Sequence, residues 1–242
     1  MKLGMQIYGL RNELTTDFEG TIAKIAAMDL TGVELFGAHK TASETKAILE
    51  RHKLIPVACH VVFDSLQTDL ENQIARAKEI GAGILVCAWS KASDKYNWEQ
   101  IAAALEHHAQ ACKAQGLEYA YHNHDHEITE TVNGMPALDL IATRAPTVKL
   151  ELDIAWLHAG GVKPSSYLEK YASRTVLVHV KDVKKTATGW ETVELGQGEV
   201  KLADAIAAAK DSSAKWLLVE QDNSPTPLES HAKNAAWLKA NS

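Results

Sequence analysis

Cysteine is scarce in this chain: three in 242 residues, Cys59, Cys87 and Cys112, odd in number and widely spaced. That excludes a disulfide framework, a zinc ribbon and a redox Cys-x-x-Cys motif, and it suits a reducing compartment. Long hydrophobic runs are missing as well. No window approaches the ~20 apolar residues that a membrane-spanning helix requires, so no membrane partner is expected. Met1 to Leu10 lacks an apolar signal region and a small-residue cleavage site, and reads instead as a strand that starts at once. The expected location is therefore the cytoplasm. A basic surface is absent too: 25 Lys and Arg stand against 31 Asp and Glu, net -6, with no cationic cluster to track a phosphate backbone. Nucleic acid is excluded as the expected partner. What the chain does have is 46% hydrophobic residues, enough for a sizeable core, and eleven histidines that fall in bunches.

Short apolar runs alternate with longer helical patterns at about thirty residues per unit, the signature of βα modules. The runs are Leu3 to Gly9, Gly32 to Phe36, Ile55 to Val62, Gly83 to Trp89, Leu117 to His124, Val148 to Ile154, Thr175 to Lys181 and Trp216 to Gln221. Between them lie amphipathic stretches such as Asp17 to Met28, Glu44 to His52, Leu70 to Ile80 and Trp98 to Gln115, several ending at or near glycine, with a last helix at Leu228 to Ala240. A doubly wound sheet would bury both faces of its central strands. These strands are apolar on one face only. Leu150, Leu152 and Ile154 alternate with Lys149, Glu151 and Asp153, and Val176, Val178 and Val180 alternate with Leu177, His179 and Lys181. The same parity places Glu34, His60, His122, His124 and Glu220 on the polar face. Such a set converges only inside a barrel lumen. With no linker and no shift of composition, residues 1–242 are predicted to form a single (β/α)8 TIM barrel domain of the α/β class, with one long connection, Asp182 to Val200, expected as a functional loop.

The chemistry concentrates in four segments at strand ends: Tyr121 to Glu127, Glu151 to Asp153, His179 to Asp182, and Glu220 to Asp222. Imidazoles and carboxylates aimed at one axis from separate strands suit a divalent metal, with His122, Asp153, His179 and Glu220 as ligands. A nitrogen and oxygen set without sulfur admits Mn, Co, Zn, Fe or Mg. His60 reads either as a hydrogen-bonded core histidine or as a residue lining the substrate site. Glu151 reads either as a working carboxylate of the site or as a structural partner of Lys149 or Lys181 inside the barrel, and Glu34 either as a structural partner or as a group that supports a metal ligand from behind. His107 and His108 read as surface or helix-packing residues, whereas His39, His52 and His231 have no partner legible in the sequence.

Five ordered motifs carry a resemblance to a known family. They are Tyr121-His122-Asn123-His124-Asp125-His126-Glu127, the Leu-Glu-Leu-Asp stretch from Leu150 to Gly161, His179-Val180-Lys181-Asp182, the Glu194 to Gly198 loop, and Val219-Glu220-Gln221-Asp222. The opening Met5 to Arg11 adds a sixth point of likeness. Together they resemble the sugar phosphate isomerase/epimerase superfamily, the xylose-isomerase-like TIM barrels, over essentially the whole length, in the branch marked by the YHNHDxE stretch. The resemblance implies a metal held from strands five to eight, matched here by Asp153, His179 and Glu220. On strand five the usual Glu is replaced by His122, so the proton relay between two facing glutamates loses one member.

The expected activity is therefore a divalent-metal-dependent isomerase or epimerase of a keto-sugar or cyclitol, acting by proton abstraction beside a carbonyl. The alternative is a lyase or dehydratase eliminating from a 3-keto-glycoside or inosose. His124, Glu127, Glu220 and Lys181 are the candidates for base and acid, and Tyr8, Arg11, His60, Trp156 and His158 for contacts to the substrate. An endonuclease-IV-type hydrolase would need more ligands and a basic face, and a non-catalytic sugar-binding barrel would not need the matched ligands. The expected partner is an unphosphorylated small-molecule sugar, since no glycine-rich phosphate loop precedes the last helix. Association into a homo-oligomer is an open expectation.

Overall fold

The computed structural model describes residues 1–242. Eight parallel strands close into a barrel: β1 (Lys2–Gln6), β2 (Gly32–Phe36), β3 (Ile55–Val61), β4 (Ile84–Cys87), β5 (Glu118–His122), β6 (Lys149–Asp153), β7 (Thr175–Val180) and β8 (Trp216–Val219). Each strand pairs with its sequence neighbours, and β1 pairs with β8 to close the ring. Every apolar run of the sequence is thus one barrel strand, and the fold is a single (β/α)8 barrel. No helix is long and apolar enough to cross a membrane.

Helices cover the outside, among them Phe18–Ala26, Ala42–Arg51, Trp98–Ala114 and Leu202–Lys210. Local chemistry sets their ends. Thr41 with Glu44, and Asn97 with Gln100, form reciprocal capping boxes that satisfy backbone donors otherwise left open. Gly81 ends the helix before β4 at φ 93°, a left-handed conformation that side chains with a Cβ resist. That helix, Phe63–Ile80, starts earlier than its periodicity from Leu70 suggests, because Phe63 and Leu66 also bury. A break at Asp69 (φ -145°) joins its two pieces.

Two apolar cores result. The larger lies between the barrel and its helices, where each strand turns one parity outward. A smaller one fills the lower lumen with Val57, Ala58, Ile84, Val86, Ala120, Val176, Leu177, Trp216 and Leu218. Gly4 and Gly32 make room there: a Cβ on Gly32 would lie 2.6 Å from the Trp216 ring. The pairs Val57–Ala58 and Val176–Leu177 break strict alternation because each strand pairing slips by a residue, between Val33 and Glu34 on β2 and between Leu150 and Glu151 on β6. Bulges of this kind re-aim the next side chain. The extra residues are Val57 on β3 and Val176 on β7, and the residues after them, Ala58 and Leu177, come level with the lumen glutamates Glu34 and Glu151.

The long connection after β7 is not an open loop. Asp182–Thr186 pairs antiparallel with Gly189–Val193 as a hairpin over the barrel mouth. The Asp182 carboxylate anchors its base by accepting from the backbone N–H groups of Val183, Gly196, Gly198 and Val200. Gly198 has no room for a Cβ beside that carboxylate.

Candidate metal centre and active site

At the C-terminal ends of the strands, four side chains turn their donor atoms toward one point. His122 ends β5, Asp153 ends β6, His179 is the penultimate residue of β7, and Glu220 follows β8; all are buried. Each ligand atom is prepared by what its other atom touches. His122 donates Nδ1–H to the Ala88 carbonyl at 3.3 Å, which leaves Nε2 bare and without a partner. Asp153 Oδ1 caps the helix Ile154–Ala159 by accepting from Ala155 N and Trp156 N, both at 2.9 Å. Its Oδ2 faces inward, 3.6 Å from His122 Nε2 and 3.8 Å from His179 Nδ1, with no hydrogen bond of good geometry. Glu220 Oε2 is 2.8 Å from His179 Nδ1. Asn123 ties the two strand ends together by accepting from Asp153 N at 3.0 Å.

A second ring lies directly beneath. His179 Nε2 donates to Glu34 Oε2 at 2.7 Å and lies 3.1 Å from Glu151 Oε1. His60 Nε2 sits 2.6 Å from Glu151 Oε2 and 3.0 Å from Glu34 Oε2. Burial alone would lower the His60 pKa, but Glu34 and Glu151 push it up to about 10. His179 is likewise held well above the usual imidazole range by Glu151, Glu220 and Glu34 against the cost of burial. The expected pairing of Glu151 with Lys149 or Lys181 is therefore corrected. Both lysines share the lumen parity, but Lys149 sits half-buried at the start of β6 and Lys181 one level too high, so the partners are His60 and His179.

Lys181 instead reaches the upper level, with Nζ 2.9 Å from Glu220 Oε2, 3.1 Å from Asp153 Oδ2 and 2.9 Å from Asp222 Oδ2. Its ammonium helps hold Asp153 down at about 2, against burial, which acts the other way. Both rings contain four residues whose ligand atoms lie within 4.8 Å of one another, and His179 belongs to both. Both rings hold unpartnered atoms, His122 Nε2 and Asp153 Oδ2 above, Glu34 Oε1 and Glu151 Oε1 below, but the upper ring sends two residues, His122 and Glu220, to the cavity wall and the lower ring only His60. The chemistry of the donor set points the same way: two imidazoles and two carboxylates converge without sulfur, and His122 Nε2 and Asp153 Oδ2 have no partner of their own, so these residues fit a divalent metal.

The cavity measures about 870 Å³, and its wall includes Tyr8, His60, His124 and Trp156 from the sequence candidates. His124 stands edge-on to His122, ring centroids 4.8 Å apart, with an unpartnered Nδ1. Trp156 also presents an unpartnered Nε1. Three candidates stand behind the wall. Glu127 is fully buried, accepting from Tyr121 Oη at 2.6 Å and from the His124 backbone N–H at 2.7 Å, so it fixes the His124 segment. Arg11 stacks on Tyr8 and donates to the Asp222 carbonyl at 2.9 Å. His158 packs edge-on against Trp190, centroids 5.3 Å apart.

Sequence reading missed Phe36, Trp89, Asp222, Asn223 and the hairpin residues Thr186, Trp190 and Thr192, all of which line the cavity. Asp222 had a signal, since it stands in the strand-end motif. For the hairpin the sequence marked the segment, Asp182 to Val200, as a functional loop, but not which of its side chains reach the cavity, because that depends on how a long connection folds back. Of the remaining histidines, His107 is exposed and His108 buried against Tyr119, His39 stacks on Phe18, and His231 is buried with Nδ1 donating to the Pro227 carbonyl. The three cysteines are free and buried.

Comparison with known proteins follows the same lines. The chain is 27% identical to inosose dehydratase 2 of Bacillus cereus over 145 residues, 53% of this chain and 48% of that one. It spans less than half the length of the curated relatives it matches. The structure superposes on a sugar phosphate isomerase/epimerase from Parabacteroides distasonis with a TM-score of 0.83 at 19% identity, covering 99% of this chain and 93% of the other. It also superposes on the IolI protein with a bound zinc atom at a TM-score of 0.76 and 18% identity, covering 99% and 96%. At such identities the likeness is one of fold. A family model described as xylose isomerase-like TIM barrel matches residues 22–241, and the chain belongs to that family.

Proposed function

We propose that this protein is a metal-dependent lyase that removes a β-substituent, as water or an alcohol, from a keto-cyclitol or keto-sugar. One observation carries the reading. His124, whose Nδ1 has no partner, lines the cavity beside His122 as an uncommitted base, while the carboxylates of the ligand group, Asp153 and Glu220, are engaged by Lys181 and His179. A proton relay between adjacent carbons works with a group on each side of the substrate; one base suffices for elimination. The inosose dehydratases among the relatives support the same reaction class.

His122, Asp153, His179 and Glu220 would hold the cation, which would supply Lewis-acid stabilisation of the charge that develops on the substrate beside its carbonyl. His124 Nδ1 takes the proton from the carbon beside the carbonyl, and the electron pair of that C–H bond moves into the enediolate. The C–O bond at the β-carbon then breaks, and the departing oxygen takes the proton back from the His124 imidazolium, so water or alcohol leaves and the base is restored. Tyr8, Trp156 and His60 border the substrate, with Trp156 Nε1 free to donate to a hydroxyl. Glu127, Arg11 and His158 position His124, Tyr8 and Trp190 from behind.

Isomerisation or epimerisation is the second reading, favoured by two proton-carrying groups, His124 and Glu220, lining the same cavity. Incubation of the metal-loaded protein with inosose and with 3-keto-glucosides in deuterated water separates the two. Release of water or aglycone with an enone product supports elimination. Deuterium incorporation into an isomeric sugar with no loss of a substituent overturns it in favour of isomerisation.

A further inference from the structure

We infer that Lys181 is a built-in competitor for the metal seat: its ammonium, hydrogen-bonded to Asp222, also neutralises Asp153 and Glu220, and it gives up those two contacts and draws back onto Asp222 when a divalent cation enters. The inference rests on the metal reading above. Its basis is that the ammonium and the proposed metal claim the same two oxygens. Lys181 Nζ lies 3.1 Å from Asp153 Oδ2 and 2.9 Å from Glu220 Oε2, and these atoms also converge with His122 Nε2 and His179 Nδ1 as one ligand group.

A metal bonds carboxylate oxygen at about 2.0–2.2 Å, so an ammonium in ion-pair contact with the same oxygens would share its bonding partners with a cation of twice its charge. One of the two leaves. Lys181 has a place to go, because Asp222 Oδ2 is already 2.9 Å from Nζ and belongs to neither metal-capable ring. The Trp156 ring, 5.0 Å from Nζ, borders the path and favours a cation over its face. A lysine stem can make the move by rotation about its terminal bonds, with three donors to spend on either set of acceptors. Lys181 is 1% exposed and keeps Asp222, a partly buried carboxylate of the cavity wall, as a partner throughout, so it loses two carboxylate contacts without losing its last one.

The consequence is a metal affinity set by competition. Removing the competitor strengthens binding, and freezing it in place weakens binding. The test is titration with Co(II), followed by its visible absorption, and with Zn(II) in competition with a chromophoric chelator, on the full chain. Lys181→Met is expected to bind both ions at least tenfold more tightly than the wild type. Lys181→Arg keeps the charge but forks rigidly onto its carboxylates, and is expected to bind at least tenfold more weakly. Because Lys181→Met leaves buried carboxylates uncompensated and risks misfolding, the arginine variant gives an independent readout. Wild-type affinity in Lys181→Arg, or no gain in a folded Lys181→Met, overturns the inference while leaving the metal site intact. Failure of the wild type and every variant to bind either ion overturns both.

Discussion

His179 presents its Nε2 to Glu34 at 2.7 Å and keeps its Nδ1 turned toward Glu220 at 2.8 Å, so one imidazole joins two layers of buried carboxylate. The lower contact decides which nitrogen is offered to a metal. A ring that donates from Nε2 is fixed in orientation and made a better donor at Nδ1.

Glu34→Gln and Glu151→Gln should therefore weaken binding without removing any ligand. The expected loss is about 10–100-fold in metal affinity. Zn(II) titration against a chelator checks it, and unchanged affinity in both variants would show that the lower ring does not orient His179.

Removing the metal with a chelator should abolish turnover and lower the melting temperature, with both restored by readdition. Binding at a hundredfold excess over Kd adds about 2.7 kcal/mol, or roughly 5–10 °C for a chain of this size. Calorimetry with and without Zn(II) reads the shift directly.

Substitution of the base has a distinct signature. His124→Ala should cost about 10²–10⁴ in kcat while leaving metal stoichiometry unchanged, since His124 lies outside the ligand group. Partial rescue by free imidazole would mark a lost proton acceptor; an unaltered kcat would move the base elsewhere.

A separate prediction concerns pH and stability. His108 is buried between Tyr119 and Gln67, and burial, aided by the neighbouring His107, lowers its pKa to about 4. In the unfolded chain the value returns to about 6.5, so between about pH 6.5 and 4 the unfolded state binds the extra proton. The stability His108 gives the neutral-pH protein is therefore lost as pH falls through that window, by at most about 1.4 kcal/mol per pH unit for one proton. His108→Gln should show a shallower decline in urea midpoints, and parallel curves would exclude His108 as the titrating group.

Asp182→Ala should loosen the hairpin while sparing the metal, because four backbone donors lose their acceptor and none of the metal ligands is touched. Raised KM with retained metal affinity, and proteolytic nicking near Ala187 and Thr188, are the expected results. Nicking no faster than in the wild type would mean that Asp182 is dispensable to the hairpin.

Alternation of polar and apolar residues made the barrel legible in the sequence, since Leu150, Leu152 and Ile154 can face the helices only if Glu151 and Asp153 face the lumen. It also brought His122, Asp153, His179 and Glu220 together. What it could not give was height. Parity names a face, whereas the tilt and stagger of barrel strands decide which residues share a level. So Glu151 meets His60 from β3 rather than the lysine two residues before it on its own strand, and the bulges beside Glu34 and Glu151 leave no mark in composition. The hairpin escaped for a different reason: Thr186, Trp190 and Thr192 reach the cavity through a fold-back fixed by distant backbone contacts to Asp182.

That fold-back separates two kinds of selection within one chain. The catalytic strand ends are locked to the core, so a change there disturbs the barrel. The hairpin is anchored at its base, where a carboxylate grips backbone amides, and along its second strand by Trp190 against His158 and Thr192 against Asn223, which leaves Ala187 and Thr188 at the turn as its loose end. Residues at the tip are free to drift, lengthen or be grafted from another barrel, and new substrates can be acquired without disturbing the chemistry below.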